Sequence, residues 1–197
     1  MSPPVRRVCV FCGSSEGTRP EYTLAARQLA EALARAGLGL VYGGGQVGLM
    51  GVLADAALAA GCEVIGVLPE ALHLREIGHA GLDELHVVTS MHERKAKMAE
   101  LADGFISLPG GLGTLEETFE VWTWAQLGFH RKPVGFLDVV DYWRPLIVMV
   151  DRMVHEGFVS AKHRRVVCVD RDPDALLEQL RQWQPPEVPK WLRVDET

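Results

Sequence analysis

The chain repeats one local pattern: a continuous apolar run, then a loop of glycine or small polar residues, then a segment with helical periodicity. Residues 7–12 run into Gly13-Ser14-Ser15, residues 38–42 into a glycine loop that ends at Gly51, and residues 104–108 into Pro109-Gly110-Gly111-Leu112-Gly113. Apolar runs without polar alternation belong to strands covered on both faces, and strands that alternate with helices pair in parallel. The pattern predicts α/β architecture, a single doubly wound Rossmann-like domain with a parallel sheet. In that architecture ligands sit beyond the carboxyl ends of the strands. Further strands are predicted over 63–68, 85–89, 133–137 and 165–169. The first helix is predicted from an N-cap at Thr18, with Pro20 in its first turn, to Ala36, and the second ends at Ala60. Others follow from Ser90, over 114–127, over 142–155 and over 174–183. Residues 71–82, which carry Arg75 and Glu76, read as a loop. The domain is expected to occupy 1–183, and 184–197 to form a proline-rich surface tail.

Size and charge narrow the function. A chain of 197 residues holds one α/β domain with a full core. A net charge of −6 argues against a nucleic-acid partner, because polyanion binding needs a basic face. A small phosphorylated ligand needs only one local positive site. No apolar run reaches membrane-spanning length, and the first residues lack the apolar core of a signal peptide, so no membrane partner and a cytoplasmic location are expected. Cys9 and Cys12 spell C-x-x-C, but residues three apart on a strand point to opposite faces. No second C-x-x-C completes a metal site, and buried structural thiols are expected. The 7 histidines show no metal-binding spacing, and no G-x-S-x-G nucleophile elbow occurs.

Three segments carry chemistry. Gly43-x-Gly45-x-x-Gly48 has the spacing of a dinucleotide fingerprint, but the acid expected at the end of the next strand is missing: that strand ends Val67-Leu68-Pro69. A dehydrogenase is therefore disfavoured. The glycines fit either a nucleotide-contacting loop or tight helix–sheet packing. Pro109 to Glu117 combines a glycine loop with a helix opening at Thr114, so that backbone N–H groups and the positive dipole end could cradle a phosphate. A carboxylate in the first turn would repel a second anion, which points to chemistry on something attached to that phosphate. T-x-x-E is also a capping box, and Glu117 could simply satisfy the backbone at Thr114. Met91-His92-Glu93-Arg94-Lys95 opens another helix behind the capping pair Ser90 and Glu93. Cations there oppose the dipole unless an anion or acid compensates. Arg94 could bind phosphate or hold a carboxylate, whereas Lys95 and Lys97 have a solvated face as the simpler alternative.

Together these segments resemble the LONELY GUY family of cytokinin-activating phosphoribohydrolases, whose bacterial members were long labelled lysine decarboxylases. The likeness runs from Cys9 to about Trp183. It rests on M-H-x-R-K and P-G-G-x-G-T-x-x-E, with Cys9 to Ser15, Tyr42 to Gly51, Arg75-Glu76-Ile77 and Thr123 to Gly128. The resemblance implies hydrolysis of the N-glycosidic bond in an N6-substituted AMP, giving free base and ribose 5-phosphate, with no metal or organic cofactor. It implies Arg94 and Glu117 as the catalytic pair. It gives Glu76, Arg94, Lys95, Gly110, Gly111, Leu112, Gly113, Thr114, Leu115, Glu116 and Thr123 as substrate contacts. Gly43, Gly44, Gly45, Met50, Gly13 and Ser14 complete the binding set. A homodimer is expected, compatible with aromatics at Phe119, Trp122 and Trp124, whose alternative role is core packing. The sequence departs from plant-like members after Ile77, which bears on base selectivity. Two alternatives stay open: an AMP nucleosidase preferring unmodified AMP, and a nucleotide or cofactor carrier that binds without hydrolysis.

Overall fold

The computed structural model describes residues 5–73 and 78–185. Among them, β1 (Arg7–Phe11), β2 (Gly39–Tyr42), β3 (Val64–Pro69), β4 (Glu84–Val88), β5 (Gly104–Ser107), β6 (Val134–Leu137) and β7 (Val167–Asp170) form one sheet. Its order is β4-β3-β2-β1-β5-β6-β7 and every pair is parallel. The helices are α1 (Pro20–Arg35), α2 (Gly48–Ala59), α3 (Glu70–His73), α4 (Met91–Leu101), α5 (Leu112–Leu127), α6 (Arg144–His155), α7 (Ala161–Arg164) and α8 (Pro173–Gln182).

The continuous apolar runs have the cause expected of them. The residues of β2, β3, β5 and β6 are buried throughout, because helices cover both faces of the sheet. Leu29 and Leu33 of α1, Leu49 and Leu53 of α2 and Leu176 and Leu180 of α8 fill one core layer. Met98 of α4, Val121 and Trp122 of α5 and Val150 of α6 fill the other. Cys9 falls in the second layer and Cys12 in the first, so the C-x-x-C pair straddles the sheet. Both thiols are free and buried, and burial pushes both pKa values up.

Several boundaries differ from expectation, each for a local reason. Arg19, not Thr18, stands at the N-cap of α1, directly before the pre-organised φ of Pro20. Residues 71–82 are not all loop, because α3 continues the chain out of β3 for one turn. The helix expected over 142–155 starts at Arg144, behind a 3₁₀ turn over Val139–Asp141. The turn of α7 was not foreseen. Trp122 is core, with its indole N–H donated to the carbonyl of His163 at 3.1 Å, whereas Phe119 stays partly exposed and stacks on it. Glu76 and residues 186–197 of the expected tail lie outside the described residues.

His130, just after α5, gives the fold a pH dependence. Its Nε2 lies 2.8 Å from the carbonyl of Val121 and its Nδ1 accepts the N–H of Lys132 at 3.1 Å, a pattern that fits only the neutral ring. Burial pulls its pKa from 6.5 down to about 4. A histidine with a lowered folded pKa contributes stability that is present above its unfolded pKa and lost as the pH falls below it. Unfolding in urea should therefore show about 2 kcal/mol less stability at pH 5 than at pH 7 from this residue alone. His130→Gln should flatten that difference, and an unchanged pH dependence in the variant would assign it elsewhere.

Candidate active site

The sheet order brings β1 beside β5, yet β1 connects to β2 on one side and β5 to β6 on the other. Loops leaving two neighbouring strands in opposite directions open a crevice at their carboxyl ends. The loops are tied across it: the N–H of Gly13 reaches the carbonyl of Pro109 at 3.1 Å, and that of Leu49 reaches the carbonyl of Gly13 at 3.1 Å. A cleft of about 290 Å³ lies there, lined among others by Gly13, Ser14, Tyr22, Gly110, Gly111 and Tyr142. A larger hollow of about 710 Å³ opens at the opposite, amino ends of the strands. Several of its charged groups are engaged with one another: Arg7 pairs with Glu63 at 2.8 Å, and Asp103 accepts the backbone N–H groups of Arg6 and Arg7.

The helix after the glycine loop begins two residues earlier than its sequence suggests. Gly111 is the N-cap of α5, and its carbonyl accepts the N–H of Leu115 at 3.1 Å. Thr114 is therefore inside the helix and buried, and the first turn holds no acid. This corrects both the capping-box assignment and the placement of Glu117 in the first turn. Glu116 and Glu117 fall in the second turn, where they face α4 instead of their own helix end.

There Glu117 meets Arg94. Ser90 caps α4 by accepting the N–H of Glu93 at 3.1 Å, while the Glu93 carboxylate takes the N–H and hydroxyl of Thr89. This fixes the first turn of α4 and with it Arg94. The guanidinium is buried and makes three contacts. Nη1 donates to Glu117 Oε1 at 2.7 Å, Nε to the carbonyl of Val67 at 3.1 Å, and Nη2 to the carbonyl of Gly43 at 3.4 Å. The next residue repeats the logic. Lys95 Nζ lies 2.5 Å from Glu116 and 2.9 Å from Glu120, so α4 and α5 are joined by three ion pairs from two adjacent cations. Cations near an N-terminus, unfavourable alone, are compensated by acids from the neighbouring helix. Lys95 is thus buried and paired, not on a solvated face.

Burial raises the pKa of Glu117, and Arg94 opposes that shift without cancelling it. The site therefore holds a carboxylate that takes up a proton more readily than an ordinary glutamate, clamped to a cation that orients it. For Lys95, burial lowers the pKa, but the bonds to Glu116 and Glu120 outweigh it, and the ammonium is held protonated.

Gly43, Gly44 and Gly45 sit beside this pair with packing reasons of their own. A Cβ on Gly43 would lie 2.0 Å from Arg94 Nη2 and 3.3 Å from the sulfur of Met50. Gly44 accepts the N–H of His79 at 2.9 Å, and Gly45 bridges to Gly78. Gly43→Ala should therefore push the guanidinium off Glu117. Because the clash is with the free end of a side chain, we expect at least a tenfold loss of kcat with stability changed by about 1 kcal/mol or less. A variant with wild-type kcat would show that the Arg94 position is not required.

Of the other expected residues, Leu112 is exposed at the mouth, Gly113 stands open beside it and Leu115 packs on the core layer. Thr123 lies further along α5, exposed, with its hydroxyl on the carbonyl of Phe119. Sequence reasoning missed Glu120, although its spacing of four from Glu116 puts both carboxylates on one helical face. It also missed Tyr142, whose hydroxyl donates to the carbonyl of Gly110 at 2.6 Å and for which no sequence signal existed.

Known proteins are similar to this chain in sequence and in fold. A family described as "Possible lysine decarboxylase" matches residues 50–180. A cytokinin riboside 5′-monophosphate phosphoribohydrolase of Arabidopsis thaliana is 49% identical over 180 residues, spanning 91% of this chain and 83% of that protein. One of Oryza sativa subsp. japonica is 46% identical over 180 residues, spanning 91% and 74%. The molybdenum cofactor carrier protein of Chlamydomonas reinhardtii superposes with a TM-score of 0.68 over 89% of this chain and 97% of that one. At 22% identity that likeness is one of fold. By its sequence, this chain belongs to the LONELY GUY family of phosphoribohydrolases.

Proposed function

We propose that this protein hydrolyses the N-glycosidic bond of cytokinin riboside 5′-monophosphates, releasing the free base and ribose 5-phosphate. The observation that carries the proposal is the buried Arg94–Glu117 pair beside a glycine loop at the sheet's switch point. The phosphate lies against the loop and the first turn of α5, where backbone N–H groups are free of helical partners. The C1′ end of the ribose then lies toward Glu117. As the C1′–N9 bond breaks, its electron pair leaves with the base and positive charge grows on the sugar. The Glu117 carboxylate stabilises that charge and accepts a proton from the water whose oxygen bonds to C1′, and that proton then passes to the departing base, restoring the carboxylate. Arg94 holds the carboxylate in its aim.

The lysine decarboxylase description fits these residues poorly. A Schiff-base lysine needs a neutral amine at working pH. Lys95 is kept protonated by two carboxylates, and Lys132, although burial lowers its pKa, commits Nζ to the carbonyl of Ala99 at 2.6 Å.

Base release from isopentenyl-AMP and from AMP by the purified protein tests the proposal. We expect the higher kcat/KM with isopentenyl-AMP. Faster turnover of AMP would make the protein an AMP nucleosidase, and binding of a nucleotide without any base release would make it a carrier. We also propose a cytoplasmic homodimer. No helix among the described residues is long and apolar enough to cross a membrane. Phe119 on α5 and Val148, Met149 and Phe158 in and after α6 leave apolar surface for a second copy to cover. Sedimentation at micromolar concentration checks the oligomeric state.

A further inference from the structure

The turn after β6 carries backbone strain that its sequence does nothing to relieve. Val140 sits at φ 47° and ψ 41°, and Asp141 follows at φ 61°. Left-handed conformations cost a β-branched residue more than any other kind, and two in succession persist only where surrounding contacts impose them. The contacts are present. The buried Asp138 carboxylate accepts the N–H of Trp143 at 2.7 Å, and Asp141 pairs with Arg171. The result of the turn is to lay two adjacent aromatic residues on the chain leaving β5. The indole N–H of Trp143 reaches the carbonyl of Ser107 at 3.2 Å, and the Tyr142 hydroxyl reaches the carbonyl of Gly110 at 2.6 Å. Tyr22 and Trp143 stand edge-on to the Tyr142 ring and fix its direction.

That hydroxyl settles a question the glycine loop leaves open. Three consecutive carbonyls are engaged: Pro109 by Gly13 N–H, Gly110 by Tyr142 and Gly111 by Leu115 N–H. Two of these partners are backbone groups, and Tyr142 is the side chain. In a trans peptide the N–H points opposite to the preceding C=O, so turning the Gly110 carbonyl to Tyr142 turns the Gly111 N–H the other way. A peptide between two glycines flips at little steric cost, and the flipped form would offer an oxygen, not a donor, to an anion. We infer that Tyr142 is a positioning residue that holds the Gly110–Gly111 peptide in its phosphate-binding orientation, and that the strained turn over Val140 and Asp141 serves to aim it.

The inference rests on the phosphate end of the substrate lying at this loop. Tyr142→Phe keeps the ring and removes the bond. Calorimetry with ribose 5-phosphate reads phosphate recognition without turnover, calorimetry with isopentenyladenine reads the base end, and steady-state kinetics separate KM from kcat. We expect ribose 5-phosphate affinity to fall roughly five- to tenfold and KM to rise in parallel, with base affinity and kcat within about twofold of wild type. Equal weakening of both ligands, or no change in either, overturns the inference, as does a wild-type protein that does not bind ribose 5-phosphate. If the wild type binds ribose 5-phosphate, loses that binding in Tyr142→Phe and yet releases no base, Tyr142 keeps its role and the hydrolase proposal falls alone.

Discussion

Glu117→Gln is expected to lower kcat by about a thousandfold or more while leaving the protein as stable as the wild type. In the mechanism we propose, the activity loss follows from removing the charge that stabilises the sugar, an effect worth several kcal/mol in a buried site. The stability result follows from the sign of the pKa shift. An acid whose folded pKa is raised contributes stability below its unfolded pKa and loses it as the pH rises through the folded value, so the ionised Glu117 is a cost carried at neutral pH. Glutamine keeps an oxygen for Arg94 Nη1, and the carbonyls of Val67 and Gly43 still receive the rest of the guanidinium. Arg94→Ala should lose comparable activity and also about 3 kcal/mol of stability, since it strands a buried carboxylate. The double variant should be little slower than the worse single one, because the two act as a unit. In the wild type, the acid limb of kcat/KM, which reports the free enzyme, should be shifted upward from that of an ordinary glutamate, as the reacting form is the ionised one. Thermal melts and pH–rate profiles on the same preparations check all of this. If Glu117→Gln melts earlier but turns over normally, the residue is structural.

The second large effect is on folding. Gly48→Ala should cost about 3 kcal/mol or more, read as a shift of the urea midpoint or as failure to yield soluble protein. Gly48 has φ +56°, and a Cβ there would lie 2.3 Å from the carbonyl carbon of Ser14 and 2.4 Å from the nitrogen of Ser15. Those are backbone atoms of the loop after β1, whose Gly13 is tied to Leu49 N–H and to the Pro109 carbonyl. Neither side can retreat without opening the crevice. Gly43→Ala offers the contrast, since its clash is with a side-chain tip. A wild-type midpoint for Gly48→Ala would mean the two loops do not touch.

The inner strands β2, β3, β5 and β6 could be read almost to the residue because burial on both faces leaves few polar positions to confuse the run. Helix starts were harder. At α5 a glycine took the capping role that Thr114 seemed built for, and the error displaced Glu117 by one turn. The Arg94–Glu117 contact spans 23 positions, beyond what local spacing can reveal. The one local hint was electrostatic: two cations opening a helix need acids from elsewhere. Tyr142 gave no hint, because the turn that delivers it uses left-handed valine and aspartate where glycine or asparagine would have announced it.

The division of Cys9 and Cys12 between the two core layers has a use in following the molecule's motions. Each thiol is sealed by a different sheet of helices, Cys12 by α1, α2 and α8 and Cys9 by α4, α5 and α6. A thiol-trapping reagent therefore finds two clocks three residues apart, one on β1 and one just past its end, each started by the lifting of one covering layer. Their relative rates order the peeling of the two layers. A ligand that bridges the crevice should slow both clocks together.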